Sequence, residues 1–184
     1  MDAVRRSRLG FVVIKFRVGG IVYYLMRVNP KWKDINFIGG HEKPRDGGDL
    51  EKTARRELWE EVPSVRSYPN IELEPITGLV SYGPIYSRSK GDQVEYEAQF
   101  FLVKIINSPN SLVELLSDRS KNIWISENEL IRAEKYRMSG LVEVLNSAKS
   151  GGLEDIPYSS GTDLSSLRSY FEENDGKQLE FALK

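Results

Sequence analysis

The chain of 184 residues contains no cysteine and a single histidine, His41. The first absence removes disulfides, thiolate nucleophiles and cysteine-held zinc together. The second removes a zinc site built from several imidazoles. A catalytic metal in this chain would be held mainly by oxygen, which suits Mg²⁺ or Mn²⁺. An excess of one charge is also missing: 26 basic and 27 acidic residues leave a formal net charge of −1. The broad basic surface of a nucleic-acid binder is therefore not expected. No apolar run has the length of a membrane span. The start is basic through Arg5, Arg6 and Arg8, but the apolar run Phe11–Ile14 stops at Lys15 with no small-residue cleavage site behind it. That is not the layout of a secretory leader, and a cytoplasmic protein without a membrane partner is the expectation.

What is present is a regular alternation of strand and helix signals. Leu9–Arg17 and Ile21–Val28, rich in Val, Ile, Tyr and Phe, flank Gly19-Gly20 and predict a β-hairpin. A loop with Pro30, Lys31, Trp32 and Lys33 leads to the apolar piece Ile35–Ile38 and to Gly39-Gly40. From Asp49 to Val62, Leu50, Ala54, Leu58 and Val62 recur every four residues, the spacing of a helix face. Asp49 is its expected N-cap and Pro63 its stop. Two strands, Ile71–Ser81 and Glu95–Ile106, are joined by a loop with Tyr82, Tyr86, Arg88 and Lys90. Asn122–Ile125 reads as a short strand, and Glu127–Arg137 and Leu141–Ala148 as helices. The glycines and serines of 150–152 and 159–161 place a boundary after residue 149. Residues 1–149 are expected to form the main domain. Residues 150–184 are expected to be an extension that docks separately through one amphipathic helix, Asp163–Glu173, by Leu164, Leu167, Tyr170 and Phe171. The element order predicts an α/β fold with helices on the faces of a sheet.

Three carboxylates stand out on the first helix. At 100° per residue Glu57, Glu60 and Glu61 fall within an arc of about 100°. Like charges three or four residues apart cost roughly 0.2–0.5 kcal/mol per pair, and a divalent cation bound among them would reverse the sign. The plain alternative is a solvated acidic face balanced by Lys52, Arg55 and Arg56.

Taken in order, Gly39-Gly40, the helix, Arg56-Glu57-Leu58 and Glu60-Glu61 resemble the Nudix box, G-x5-E-x7-R-E-U-x-E-E-x-G-U. Tyr23–Arg27 ahead of it, Phe37–His41 at its entry and Trp124–Leu130 beyond it extend the resemblance over roughly residues 9–148. Gly40 stands sixteen residues before Arg56 where the pattern has fourteen, so the loop carries two extra residues. Counted back from Arg56, the first glutamate of the box falls on Gly48, with Asp49 as a shifted substitute. The closing glycine falls near Pro63-Ser64.

The resemblance implies an α/β/α sandwich with a mixed β-sheet and a loop-helix-loop catalytic box. It implies Mg²⁺ or Mn²⁺ on Glu57, Glu60 and Glu61 with the Gly40 carbonyl, Glu57 also as a base, and Arg56 holding Glu57 in place. The implied reaction is hydrolysis of a diphosphate bond in a nucleoside diphosphate linked to another moiety, so a small nucleotide-like substrate is the expected partner. The altered first glutamate and closing glycine leave a second reading, a Nudix-fold nucleotide sensor or interaction module without turnover. His41, Tyr82, Tyr86 and Arg88 are candidates for substrate contact, and Glu97, with Glu95 and Glu114, for a further acid at the site. Each has an ordinary surface or loop role as its alternative. A homodimer is among the expected assemblies.

Overall fold

The computed structural model describes residues 4–29, 31, 34–67, 71–87, 90–106, 121–132 and 140–174. The strands are β1 Arg5–Val13, β2 Lys15–Val18, β3 Ile21–Asn29, β4 Asp34–Asn36, β5 Ile38–His41, β6 Ile71–Pro75, β7 Val80–Ser87, β8 Asp92–Ile105 and β9 Asn122–Ser126. The helices are α1 Leu50–Glu61, α2 Glu127–Arg132, α3 Leu141–Ala148 and α4 Arg168–Asn174. One mixed sheet has the order β5-β1-β8-β6 with β7 also on β8. In it β1 runs parallel to β8, from Arg5 opposite Val94 to Val13 opposite Leu102. The second sheet is antiparallel, β2-β3-β4 with β9 on β3. This is the α/β arrangement of mixed sheet and helices that the Nudix resemblance implies.

The predicted hairpin arm Leu9–Arg17 divides at Ile14 into β1 and β2, one in each sheet. Only β2 pairs with β3 around Gly19-Gly20. The bond from Leu25 N–H to the Ile14 carbonyl, 3.0 Å, marks the crossing point. Alternate residues of β1 serve two cores, as strand geometry requires. Val12 joins the core under α1 with Ile14, Leu50, Ala54 and Leu58. Leu9, Phe11 and Val13 join a second core with Tyr24, Phe100, Ile125 and Leu145.

Helix α1 lies across β1 because Gly10 has no side chain. A Cβ there would stand 2.5 Å from the Leu50 carbonyl oxygen and 2.9 Å from the Ala54 nitrogen. The helix begins as predicted: the Asp49 carboxylate accepts from the N–H groups of Glu51 and Lys52 at 3.0 and 3.2 Å.

Two further expectations are corrected. Tyr82 and Tyr86 lie on a strand, β7, rather than in a loop. Its register against β8 shifts between Tyr82 and Ile85, and most of it is exposed, so no apolar alternation marks it in the sequence. The amphipathic helix expected over Asp163–Glu173 is a 3-10 turn, Ser165–Leu167, followed by α4. The Asp163 carboxylate instead accepts from the N–H of Gly19 at 2.9 Å, which ties this turn to the β2–β3 hairpin. Leu164 and Phe171 are buried in the core under α1, and Leu167 and Tyr170 pack against it. Of the predicted helix Glu127–Arg137, residues 133–139 lie outside the described residues. Among the described residues, no helix is long and apolar enough to cross a membrane.

Candidate active site

The site is built on the loop that joins β5 to α1. After His41 the chain makes a 3-10 turn at Pro44–Asp46 and then two left-handed glycines, Gly47 (φ 67°) and Gly48 (φ 84°). The turn delivers the Asp46 carboxylate into the fold, where it is 4% exposed. It accepts from the Lys43 N–H at 2.9 Å, the Thr53 hydroxyl at 3.0 Å, and Arg56 Nε and Nη2 at 3.0 and 2.9 Å. Arg56 above all, with these other donors, holds the Asp46 carboxyl well below its usual range despite burial. The acid that fixes Arg56 is therefore Asp46, and not Asp49, whose carboxylate is used up as the helix cap. Asp46 follows Gly40 at the G-x5-acid spacing of the box. The two extra residues lie between it and Arg56, where Gly47 and Gly48 supply the turn back into α1. Counting forward from Gly40 rather than backward from Arg56 is the signal that finds it.

Arg56 is a clamp with four holds: the Asp46 carboxylate, the His41 carbonyl (2.9 Å from Nη2) and, through Nη1, the Glu57 carboxylate and more loosely that of Glu60 at 3.5 Å. Glu57 in turn lies against Gly40, where a Cβ would come within 2.8 Å of its carboxyl carbon. The second glycine of the pair thus leaves the space this carboxylate occupies. Arg8, which the sequence did not single out, pins the same loop from β1. It donates to the Glu42 carboxylate at 3.1 Å and to the Gly48 carbonyl at 3.0 Å, and it faces Glu97 at 3.6 Å.

The other two acids of the helix are also paired. Glu60 is 2.7 Å from Arg45 and 3.5 Å from Lys43. Glu61 meets Arg27 Nε at 3.0 Å and accepts from the Gly39 N–H at 3.3 Å. Burial pushes the Glu61 carboxyl up to about 7. Arg27 and the Gly39 N–H oppose this, and repulsion from Glu57 and Glu60 adds to it. Among the described residues, no three His, Asp or Glu side chains converge into a ready-made metal cage. The donors nevertheless fit a hard divalent cation by their chemistry: three carboxylates within little more than one turn of α1, with Gly40 leaving room for that of Glu57.

Beside the glycine pair opens a cavity of about 490 Å³, lined by Phe11, Tyr82, Ile85, Tyr96, Leu141 and Val144 together with Gly40 and His41. The rings of Tyr82 and Tyr96 stack with centroids 5.3 Å apart. His41 Nδ1 lies 2.7 Å from the Ser7 hydroxyl. Burial, with Lys90 and Arg5 nearby, lowers its pKa. Of the predicted contact residues, His41 and Tyr82 line this cavity. Tyr86 is 63% exposed and does not. Glu97 borders a separate hollow of about 250 Å³ with Arg6, Glu95 and Tyr96. Arg88 and Glu114 lie outside the described residues.

Comparisons with known proteins bear on the family and the fold. The model of the NUDIX domain matches residues 6–145. A comparison with curated proteins finds no match. Among solved structures, Shewanella oneidensis NrtR is similar with a TM-score of 0.52 at 15% identity, covering 77% of this chain and 62% of that one. NrtR complexed with a 27mer DNA gives 0.51 at 16%, covering 76% and 60%. C. elegans Ap4A hydrolase gives 0.49 at 20%, covering 73% and 89%. The chain spans about 60% of the length of the NrtR structures it matches, and at such identities the likeness is one of fold. With the family's domain matched over residues 6–145 and the box built around Gly40, Arg56 and Glu57, the chain belongs to the Nudix family.

Proposed function

We propose that this chain hydrolyses a diphosphate bond in a nucleoside diphosphate linked to another moiety. The observation that carries the reading is the chain of contacts Asp46–Arg56–Glu57–Gly40, which ends on a lining residue of the apolar cavity. The Glu57 carboxylate is held in orientation next to a wall of a cavity of about 490 Å³. Glu57, Glu60, Glu61 and the Gly40 carbonyl would hold Mg²⁺ or Mn²⁺. When bound, such a cation neutralises the diphosphate and eases removal of a proton from water.

The remaining work belongs to the chain. Glu57 would take the proton of the attacking water as a general base. The water oxygen would bond to phosphorus while the bridging P–O bond breaks, and a phosphate ester or nucleotide would depart. Arg56 fixes the angle from which Glu57 acts, and Asp46 fixes Arg56. His41 and Tyr82 would contact the substrate.

The test is turnover of a panel of nucleotide sugars, dinucleoside polyphosphates and nucleoside triphosphates with Mg²⁺ or Mn²⁺. At least one compound should be cleaved, and excess chelator should stop the reaction. Equal turnover in chelator would overturn the assignment. A second reading, nucleotide binding without turnover, is favoured by one observation: Glu60 is already engaged by Arg45 and Lys43. Metal-dependent binding with no cleavage of any compound would decide for it.

A further inference from the structure

One wall of the apolar cavity does not come from the sheet. Leu141 and Val144 of α3 face it, with Phe11, Tyr82 and Tyr96 of the strands on the other sides. Helix α3 has only eight residues, too few to be stable alone, so its place is set by what it packs on. Its Leu141, Val142 and Leu145 are buried in one core with Leu153 and Ile156. Those two lie past residue 145, where the match to the Nudix domain ends. Apolar burial is non-directional, and by itself it would leave the helix free to shift along its neighbours.

Directional contacts remove that freedom. After α3 the chain turns back through Gly151 and Gly152, and the Leu153 N–H donates to the side-chain oxygen of Asn146 on α3 at 3.2 Å. A Cβ on Gly152 would stand 2.5 Å from that oxygen. The carbonyl of the same Leu153 accepts from Lys15 Nζ at 2.9 Å and from the Tyr24 hydroxyl at 3.1 Å. Lys15 Nζ also donates to the Glu154 carbonyl at 3.2 Å and faces Glu127 at 3.6 Å, and its side chain is 2% exposed. A buried ammonium is costly unless its three N–H groups are met. Leu153 and Glu154 therefore cannot drift from Lys15 without leaving that charge short of partners.

Resting on the hydrolase reading above, we infer that Lys15 and Asn146 are positioning residues for the substrate. Neither is among the described residues that line the cavity. Lys15 fixes Leu153, Leu153 fixes Asn146, and Asn146 fixes the helix that carries Leu141 and Val144. With this relay cut, the wall is in place for a smaller fraction of the time, and the apparent affinity of the cavity falls by that fraction. The acids of α1 are untouched by the relay. Helix α1 packs on the Gly10 and Val12 face of β1, whereas Leu9 and Phe11, on the opposite face, line the cavity. KM therefore rises while kcat holds.

The experiment compares Asn146→Ala, Lys15→Met and Asp163→Ala with wild type, using the full chain, Mg²⁺ and the best diphosphate substrate of the panel. Asn146 and Asp163 are both exposed, so their variants keep the core. Asp163→Ala is the control, because it frees the terminal segment from Gly19 by a tie that does not pass through α3. KM should rise about fivefold in Asn146→Ala and about tenfold in Lys15→Met, with kcat within about twofold of wild type. Asp163→Ala should keep the wild-type KM. Amides of residues 141–148 should exchange hydrogen faster in the first two variants than in the control. An unchanged KM in Asn146→Ala would overturn the inference and leave the hydrolase reading in place. So would an equal rise in Asp163→Ala, or a loss that falls on kcat instead of KM. If Lys15→Met does not fold, Asn146→Ala decides alone. If no compound is cleaved, the hydrolase reading falls and hydrogen exchange decides the relay. Faster exchange across 141–148 in Asn146→Ala than in Asp163→Ala supports it, and equal exchange overturns it.

Discussion

The loop and helix from Gly39 to Glu61 and the terminal segment from Leu153 to Phe171 share an apolar core, to which the first brings Leu50, Ala54 and Leu58 and the second Leu164 and Phe171, but they differ in what is added to it. The first adds buried charge. Asp46, Arg56 and Glu57 form a connected ionic chain with side chains 4%, 11% and 12% exposed. Charges removed from water recover little net stability even when paired, so such a chain specifies position more than it stabilises. The second is fixed by apolar burial and backbone bonding. Leu153, Ile156, Leu164 and Phe171 are buried, and the Phe171 ring lies 4.7 Å from Tyr23 and 5.2 Å from Trp124. Ser159 inserts like a short strand partner: its N–H donates to the Lys15 carbonyl, its carbonyl accepts from Ile105, and its hydroxyl accepts from the Lys15 N–H. Even the buried cation here serves the backbone, since Lys15 Nζ donates to the carbonyls of Leu153 and Glu154, with Glu127 at 3.6 Å. One region is organised for placement and the other for cohesion.

Deleting residues 150–184 tests the cohesive half and has the largest expected effect. Burying four large apolar side chains contributes about 1.5–3 kcal/mol each, which together rivals the whole stability of an ordinary domain. The shortened chain is expected to lose its cooperative thermal transition, read by circular dichroism. A cooperative melt close to that of the full chain would instead mean that the extension docks as a separate element.

A smaller effect separates the two aspartates of the box loop. Asp46→Asn removes the charge that Arg56 faces and should cost about 3–5 kcal/mol, as breaking a buried pair does. Asp49→Ala removes a helix cap and should cost only about 1 kcal/mol. Chemical denaturation of the two variants beside wild type measures both. The Asp46 carboxyl is held below its ordinary pKa in the folded chain. Its contribution is therefore fully present above the unfolded value of about 4 and is lost as pH falls through the depressed value. The gap between wild type and Asp46→Asn should accordingly close only in strong acid. Equal costs for the two variants would return the role of Arg56's partner to Asp49.

The same contrast explains what was legible in the sequence. Helix α1 was, because Leu50, Ala54, Leu58 and Val62 repeat at helical spacing behind a capping aspartate. The C-terminal half of the box was too, because Arg56, Glu57, Glu60 and Glu61 match it without a gap. Asp46 was missed because two extra residues, Gly47 and Gly48, sit between it and Arg56, and a pattern counted from one end cannot reveal where an insertion falls. The division of Leu9–Arg17 between two sheets was hidden for another reason. A run buried on both faces shows no alternation, so nothing in it marks the crossing at Ile14. Strand β7 from Tyr82 onward carries no strand signal, because it is mostly exposed and contains Gly83-Pro84; only Val80 and Ser81 fall within a predicted strand. The pairing of acids with Arg8, Arg27, Lys43 and Arg45 depends on elements brought together only by folding. No local signal carries it.

The most direct test of the placement half is Glu57→Gln. The substitution keeps the shape beside Gly40 and removes the charge that Arg56 holds. Hydrolysis of the best diphosphate substrate should be followed with Mg²⁺, with a thermal melt of both proteins alongside. The account predicts a fall in kcat of at least about 10²-fold, the contribution of a general base, while the variant still melts as a cooperative fold. A folded Glu57→Gln protein that turns over substrate at the wild-type rate would contradict it, because the carboxylate placed by Asp46, Arg56 and Gly40 would then have no part in the reaction.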